Sequence, residues 1–207
     1  MKKFLLIIGF YIAISFQINA QHNTSEIFEG NEITWYGLDF SNVRLIGAIG
    51  FKNPKKIKSY YFDAWNSLII KENKKYKLDK FFHKESVKQN LGIVKDRNDL
   101  PNLDELVIET EYAFNAEKVV QIISEYDSGD KEGLGLVFIL ESLNKYKEKA
   151  FIWVTFFDIQ TKRVILTERL DGKAGGYGFR NYWAGAYHKV MKSAYNTIQI
   201  KNEITIE

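Results

Sequence analysis

The chain of 207 residues contains no cysteine and only 2 prolines. A disulfide framework, a thiolate zinc site, a cysteine nucleophile and a thioether-linked lipid anchor are therefore all excluded. Charge of one sign is also scarce in excess, with 29 Lys+Arg against 26 Asp+Glu. A nucleic-acid binder normally shows a strong cationic surplus, so no nucleic-acid partner is expected. The three histidines, His22, His83 and His188, stand outside metal-ligand spacing of one another, and neither a metal nor a cofactor is expected. Asp127, Asp130 and Glu132 crowd a turn without forming the DxDxDG loop of a calcium site. No Gly-x-Ser-x-Gly elbow, HExxH helix, SxxK, Walker A loop or dinucleotide fingerprint occurs. What is present is apolar: 45% of residues are hydrophobic and 15% aromatic, enough to bury a substantial core.

The first twenty residues consist of a basic start (Lys2, Lys3), a mostly apolar run from Phe4 to Phe16, and a polar tip ending in the small residue Ala20. That order predicts a secretory signal peptide over 1–20, since the run is short of the roughly 20 apolar residues a spanning helix needs. Without Lys2 and Lys3 the net charge falls from +3 to +1. The expected product is a periplasmic or secreted protein of a Gram-negative bacterium, with no stable membrane insertion after cleavage.

Residues 21–207 read as one α/β domain, because no linker or internal repeat divides them. Residues 21–30 read as a flexible lead-in. A strand is predicted from Ile33 to Phe40, resuming over Val43–Ile46, and an amphipathic helix from Lys55 to Glu72 started by Pro54. The stretch from Tyr76 to Pro101 is polar and gives no clear period. Asn115 caps a helix over about 116–126. Three strands follow, Leu134–Glu141, Ala150–Asp158 and Arg163–Leu170, with connections short enough for hairpins. The middle one is apolar on both faces and needs cover on each side. Phe179, Tyr182, Trp183, Ala186, Tyr187, Val190, Met191 and Ala194 form the stripe of a last helix, and Ile198–Ile206 alternates as an edge strand or an interaction arm does. The fold class expected from this order is an α/β (α+β) sandwich. Its sheet is mixed and largely antiparallel, with a C-terminal three-strand meander, flanked by amphipathic helices.

Two places invite a binding role. The loop Gly172–Gly178, with Gly175, Gly176 and Gly178, leads into the N-terminus of the last helix, where free N–H groups can hold an anion or where glycine simply supplies positive φ. Beyond it Arg180, Ala184, His188 and Lys192 recur four apart, with Gly185 beside Ala184. They suggest a cationic ridge with a notch, read as a solvated face or as a docking groove for another backbone. No catalytic residue is assigned. Asp39, beside Ser41 at the end of the first strand, is the one carboxylate in an active-site-like setting, and a turn role competes with it.

The run GLGLVFILE, FIWVTFFDIQTKRVILTERLDG and GGYGFRNYWAGAYHKVMK resembles uncharacterised secreted proteins of Gram-negative bacteria over about residues 115–195. In topology alone it is similar to the periplasmic α/β domains of the TolB N-terminal, LpoB and CsgG-like group. The resemblance implies a non-catalytic domain acting in envelope assembly through contacts with an envelope protein, and a homo-oligomer partner is the other possibility. The absence of cysteine departs from the lipid-anchored members. The expected function is thus an exported non-enzymatic envelope protein; the alternative is a small-molecule or glycan-binding hydrolase using Asp39 near the Gly172–Gly178 loop.

Overall fold

The computed structural model describes residues 24–206; the predicted signal peptide lies outside the described residues. The elements in order are α1 (Ser25–Glu29), β1 (Glu32–Asp39), β2 (Arg44–Ile46), a 3-10 turn (Ala48–Gly50) and α2 (Pro54–Lys56), which passes through a π turn (Ile57–Tyr61) into α3 (Phe62–Lys71). Next come α4 (Leu78–Phe81), β3 (Ser86–Gln89), α5 (Gly92–Arg97), α6 (Leu103–Leu106), β4 (Val107–Ile108) and α7 (Ala116–Ser124). The chain closes with β5 (Leu134–Asn144), β6 (Lys149–Asp158), β7 (Val164–Lys173) and α8 (Phe179–Ile206).

The sheet has seven strands, and the five along β3-β1-β5-β2-β4 all run parallel. The expectation of a largely antiparallel sheet is therefore overturned. Antiparallel pairing is confined to β5 with β6 and β6 with β7. The physical reason lies in the crossovers: α2–α3, α5 and α7 each separate strands that then pair in the same direction, as helical connections require. β1 and β2 lie end to end along one edge of β5, Asp39 opposite Ile139 and Arg44 opposite Ser142.

β3 reaches only as far as Trp35 on β1, which leaves the later backbone groups of β1 without a strand partner on the edge away from β5. Two buried asparagines supply it. Asn66 of α3 accepts from the Leu38 N–H at 2.7 Å and donates to the Leu38 carbonyl at 3.0 Å. Asn98 accepts from the Phe40 N–H at 2.6 Å and donates to the Leu38 carbonyl at 3.2 Å. A buried amide that satisfies peptide groups in this way substitutes for a neighbouring strand. Gly37 is required here: it sits at a bulge with φ +105°, and a Cβ would fall 2.6 Å from Asn66 Oδ1.

Helices cover both faces. On one, Phe62, Trp65, Leu68 and Ile69 of α3 and Trp183, Tyr187, Val190 and Met191 of α8 pack on Phe40, Phe138, Ile152, Val154 and Phe156. On the other, Val119, Ile122 and Ile123 of α7 pack on Tyr36, Val137, Ile139, Trp153 and Phe157. β6 is thus roofed twice, α8 above Ile152, Val154 and Phe156 and α7 above Trp153 and Phe157. At roughly 1.5–3 kcal/mol for each large side chain buried, this double cover is the main source of cohesion.

Two further expectations change. The lead-in is not featureless: Ile27 of α1 is fully buried, and the buried Lys84 Nζ donates to the carbonyls of Ile27 at 2.6 Å and Gly30 at 2.5 Å, closing the end of that helix. A cation at a helix C-terminus meets the negative end of its dipole. The tail after Ile198 continues α8 instead of forming a strand. Ile198 lies four residues from Ala194 and is buried with it, so the helical period wins over the alternation.

Candidate functional site

Asp39 ends β1 beside the break between β1 and β2, and it is completely buried. Its Oδ1 accepts from the Ser41 N–H at 2.7 Å, and its Oδ2 accepts from Tyr126 Oη at 2.7 Å and Arg97 Nε at 3.1 Å. Arg97 also donates to Glu125 at 3.2 Å and Ser41 Oγ at 3.3 Å. Burial opposes the Arg97 charge, and the Asp39 carboxylate overrides it, holding the guanidinium above its ordinary value. Burial, and then the same carboxylate, push the Tyr126 phenol well above its ordinary value. Both carboxylate oxygens of Asp39 are thus bonded to protein donors, which suits a structural anchor for the strand break.

A second carboxylate, Glu141, is just as buried and sits in the irregularity of β5 between Leu140 and Ser142. Arg169 of β7 grips it with two bonds, Nε at 2.9 Å and Nη2 at 2.5 Å, and Trp153 Nε1 adds a third at 3.1 Å. The hydrogen bond to Glu141 raises the Arg169 guanidinium above its ordinary value. Sequence reasoning missed Glu141, Arg97, Asn66 and Asn98. The signal available was a charged or amide residue inside or beside apolar runs, as in VFILESL.

The predicted ridge is dispersed by the fold. Arg180 and Lys192 are exposed, but Ala184 is buried. His188 is half-buried, edge-on to Tyr76 at 5.4 Å and Phe81 at 5.8 Å, with Nε2 3.2 Å from the Lys75 carbonyl. Burial lowers its pKa from the ordinary value. The notch at Gly185 is filled by the chain itself: a Cβ there would meet the Gly175 carbonyl oxygen at 2.2 Å, and the Gly175 N–H donates to the Tyr182 carbonyl at 2.8 Å. The backbone that docks at this position is the glycine loop. Gly176 and Gly178 have φ of +130° and +79°, so both need glycine for conformation.

The open part of the molecule lies at the carboxyl ends of β2, β5 and β7, where α2 and α8 begin. In parallel α/β sheets this end is where ligands and partners are received. Two cavities of about 290 and 260 Å³ share Gly50 and Phe179, so one ring walls both. Ile49, Lys52, Lys56 and Tyr61 line the first; Lys145, Tyr182 and Trp183 line the second. The rim is held by Tyr182 Oη, which donates to Glu148 at 2.8 Å and lies 3.0 Å from Lys145 Nζ. The tyrosine hydroxyl, then the lysine, hold the Glu148 carboxyl below its ordinary value. Tyr146 Oη donates to Glu109 at 2.5 Å, and Glu109 accepts from the Ala48 N–H at 3.0 Å. Large apolar side chains stand in solvent here, Ile49 at 73% and Tyr177 at 96% exposure, with Tyr146 also exposed.

Of the predicted residues, Gly176 and Gly178 reach this groove, whereas Ala184, His188 and Lys192 do not line it. Among the described residues no cluster of His, Asp or Glu could hold a metal ion, and no helix is long and apolar enough to cross a membrane. No family model, curated protein or solved structure matches the chain.

Proposed function

We propose that the chain is an exported, non-enzymatic cell-envelope protein that works through protein contacts, and that the groove walled by Phe179 is where a partner docks. The observation that carries this reading is the exposure of Ile49, which lines that groove, and of Tyr146 and Tyr177, which neighbour its lining residues Lys145, Gly176 and Gly178 in the chain. Exposed aromatic and aliphatic side chains of this size around a concavity are typical of a recognition surface and costly to leave in water otherwise. The leader-like sequence at residues 1–20 supports export. The hydrolase alternative needs Asp39 to reach a substrate, and its oxygens are buried and bonded to Ser41, Arg97 and Tyr126.

The test is photo-crosslinking in cells with a photoreactive residue at the exposed groove position Lys52, in the otherwise native chain and in a variant carrying Ile49→Glu and Tyr177→Glu. Both substitutions are at the surface and should leave the melting temperature nearly unchanged. The expected result is a discrete adduct in the native chain that falls at least about tenfold in the variant, the cost of losing one or two well-placed apolar anchors. A variant that crosslinks as well as the parent overturns this assignment, and an adduct with a second copy identifies the chain as its own partner.

A further inference from the structure

The near-neutral total charge conceals two large opposed blocks. Residues 52–95 hold twelve lysines against four acidic residues, and residues 96–132 hold eleven acidic residues against three basic ones. The fold turns this division into a surface. Helices α2, α3, α4 and α8 make one outer layer, and over residues 52–80 and 179–200 that layer carries nine lysines, Arg180, Lys189 and Lys192 against only Asp63, Glu72 and Asp79. All twelve cations except the half-buried Lys58 are exposed. None of them forms an ion pair among the described residues; Lys58 and Lys189 donate only to backbone carbonyls.

This arrangement works against the stability of the free protein. Lys55 and Lys56 stand in the first turn of the continuous helix that α2 opens and α3 ends, where the dipole disfavours cations, and like charges accumulate along the α3–α4 connection at Lys71, Lys74, Lys75 and Lys77. Such a layer lowers its free energy by meeting an extended anionic surface. Eleven of the twelve cations are lysines, compact point charges on flexible stems, without the planar fork that favours bidentate phosphate or base recognition. An exposed tyrosine, Tyr60, lies among them in a cavity of about 360 Å³ that it shares with Lys71 and Arg180. Lysines around an amphipathic ring match the headgroup level of a bilayer.

We propose that the layer of α2, α3, α4 and α8 lies flat on an anionic lipid surface, held by lysine–headgroup attraction and by Tyr60 at the interface. The contact meets the Phe179 groove at Lys52 and Lys56, which line it, and rests on the charge of the whole layer and not on that groove.

The purified chain is mixed with vesicles of phosphatidylglycerol and phosphatidylcholine, or of phosphatidylcholine alone, and sedimented. Binding is expected only with the anionic vesicles and should fall steeply as salt rises through physiological ionic strength. Replacing Lys71, Lys74, Lys75 and Lys77 together with glutamine should weaken it by about a hundredfold or more, while Val120→Glu on α7 should leave it unchanged. These exposed sites should not affect folding, which far-ultraviolet circular dichroism checks. Failure to bind anionic vesicles at low salt overturns the proposal. So does equal binding to phosphatidylcholine, displacement from vesicles by duplex DNA at matched salt and phosphate concentration, or salt-sensitive self-association that removes the protein from the vesicles.

Discussion

Replacing Asp39 by alanine is expected to cost about 3–5 kcal/mol of folding stability, the range for breaking a buried, hydrogen-bonded ion pair from one side. The substitution strands Arg97, whose side chain is 9% exposed and whose remaining acidic partner, Glu125, is half in solvent. It also removes the acceptor of the buried Tyr126 hydroxyl and of the Ser41 N–H. A partial rescue follows from the same argument: Asp39→Leu combined with Arg97→Met and Tyr126→Phe should recover much of the loss, because the stranded polar groups are removed with the carboxylate. Urea unfolding followed by circular dichroism measures both. A loss below about 1 kcal/mol for Asp39→Ala, the size of an exposed pair, would mean that the network does not hold the break between β1 and β2.

Trp65→Ala is expected to be equally severe, about 3–5 kcal/mol, as for other buried aromatic truncations. Trp65 is fully buried, and its ring lies 5.5 Å from Phe40, 5.5 Å from Tyr187 and 5.9 Å from Phe179. Its indole N–H donates to the Arg180 carbonyl at 2.9 Å, tying α3 to the first turn of α8. Removing it opens a cavity beneath Phe179, so the groove should loosen as the fold weakens. Trp65→Phe keeps most of the packing and drops the hydrogen bond, and should cost about 0.5–1.5 kcal/mol, the net worth of one such bond. Thermal unfolding of the two variants separates the packing contribution from the bond. Similar melting temperatures for Trp65→Ala and the parent would contradict the packing described for α3 against α8.

The elements that could be read from the sequence are those whose period is enforced by burial. The α3 and α8 stripes, and the two apolar faces of FIWVTFF, reflect contacts in which every third or second residue meets the core. Strand direction leaves no such mark. The pattern of Ile33–Asp39 is the same whether its neighbours run with it or against it, and the hairpins near the C-terminus drew the whole sheet toward an antiparallel reading. β3 was obscure because SVKQ is an edge strand with few apolar contacts, placed by β1 through the bonds from Glu85 N–H to Asn31 and from Asn90 N–H to Trp35. Ala184 and Gly185 fall outside the stripe that the large apolar residues of α8 mark in the sequence. The buried arc of α8 is wider, and the glycine loop occupies the side where Gly185 lies. The charge division was present in the sequence, but a total near zero hides blocks that only the layers separate.

The sheet is closed on both faces by helices, and its two buried carboxylates, Asp39 and Glu141, lie inside that cover. The four tryptophans report on both sides: Trp35, Trp65 and Trp183 belong to the α3–α8 face and Trp153 to the α7 face, and none is more than 9% exposed. Acrylamide quenching of native tryptophan fluorescence is therefore expected to be weak and uniform, rising only when denaturant unfolds the chain. A fraction of the native emission that is readily quenched, red-shifted and removed by Trp153→Phe would show the α7 face open to water, and would contradict the account.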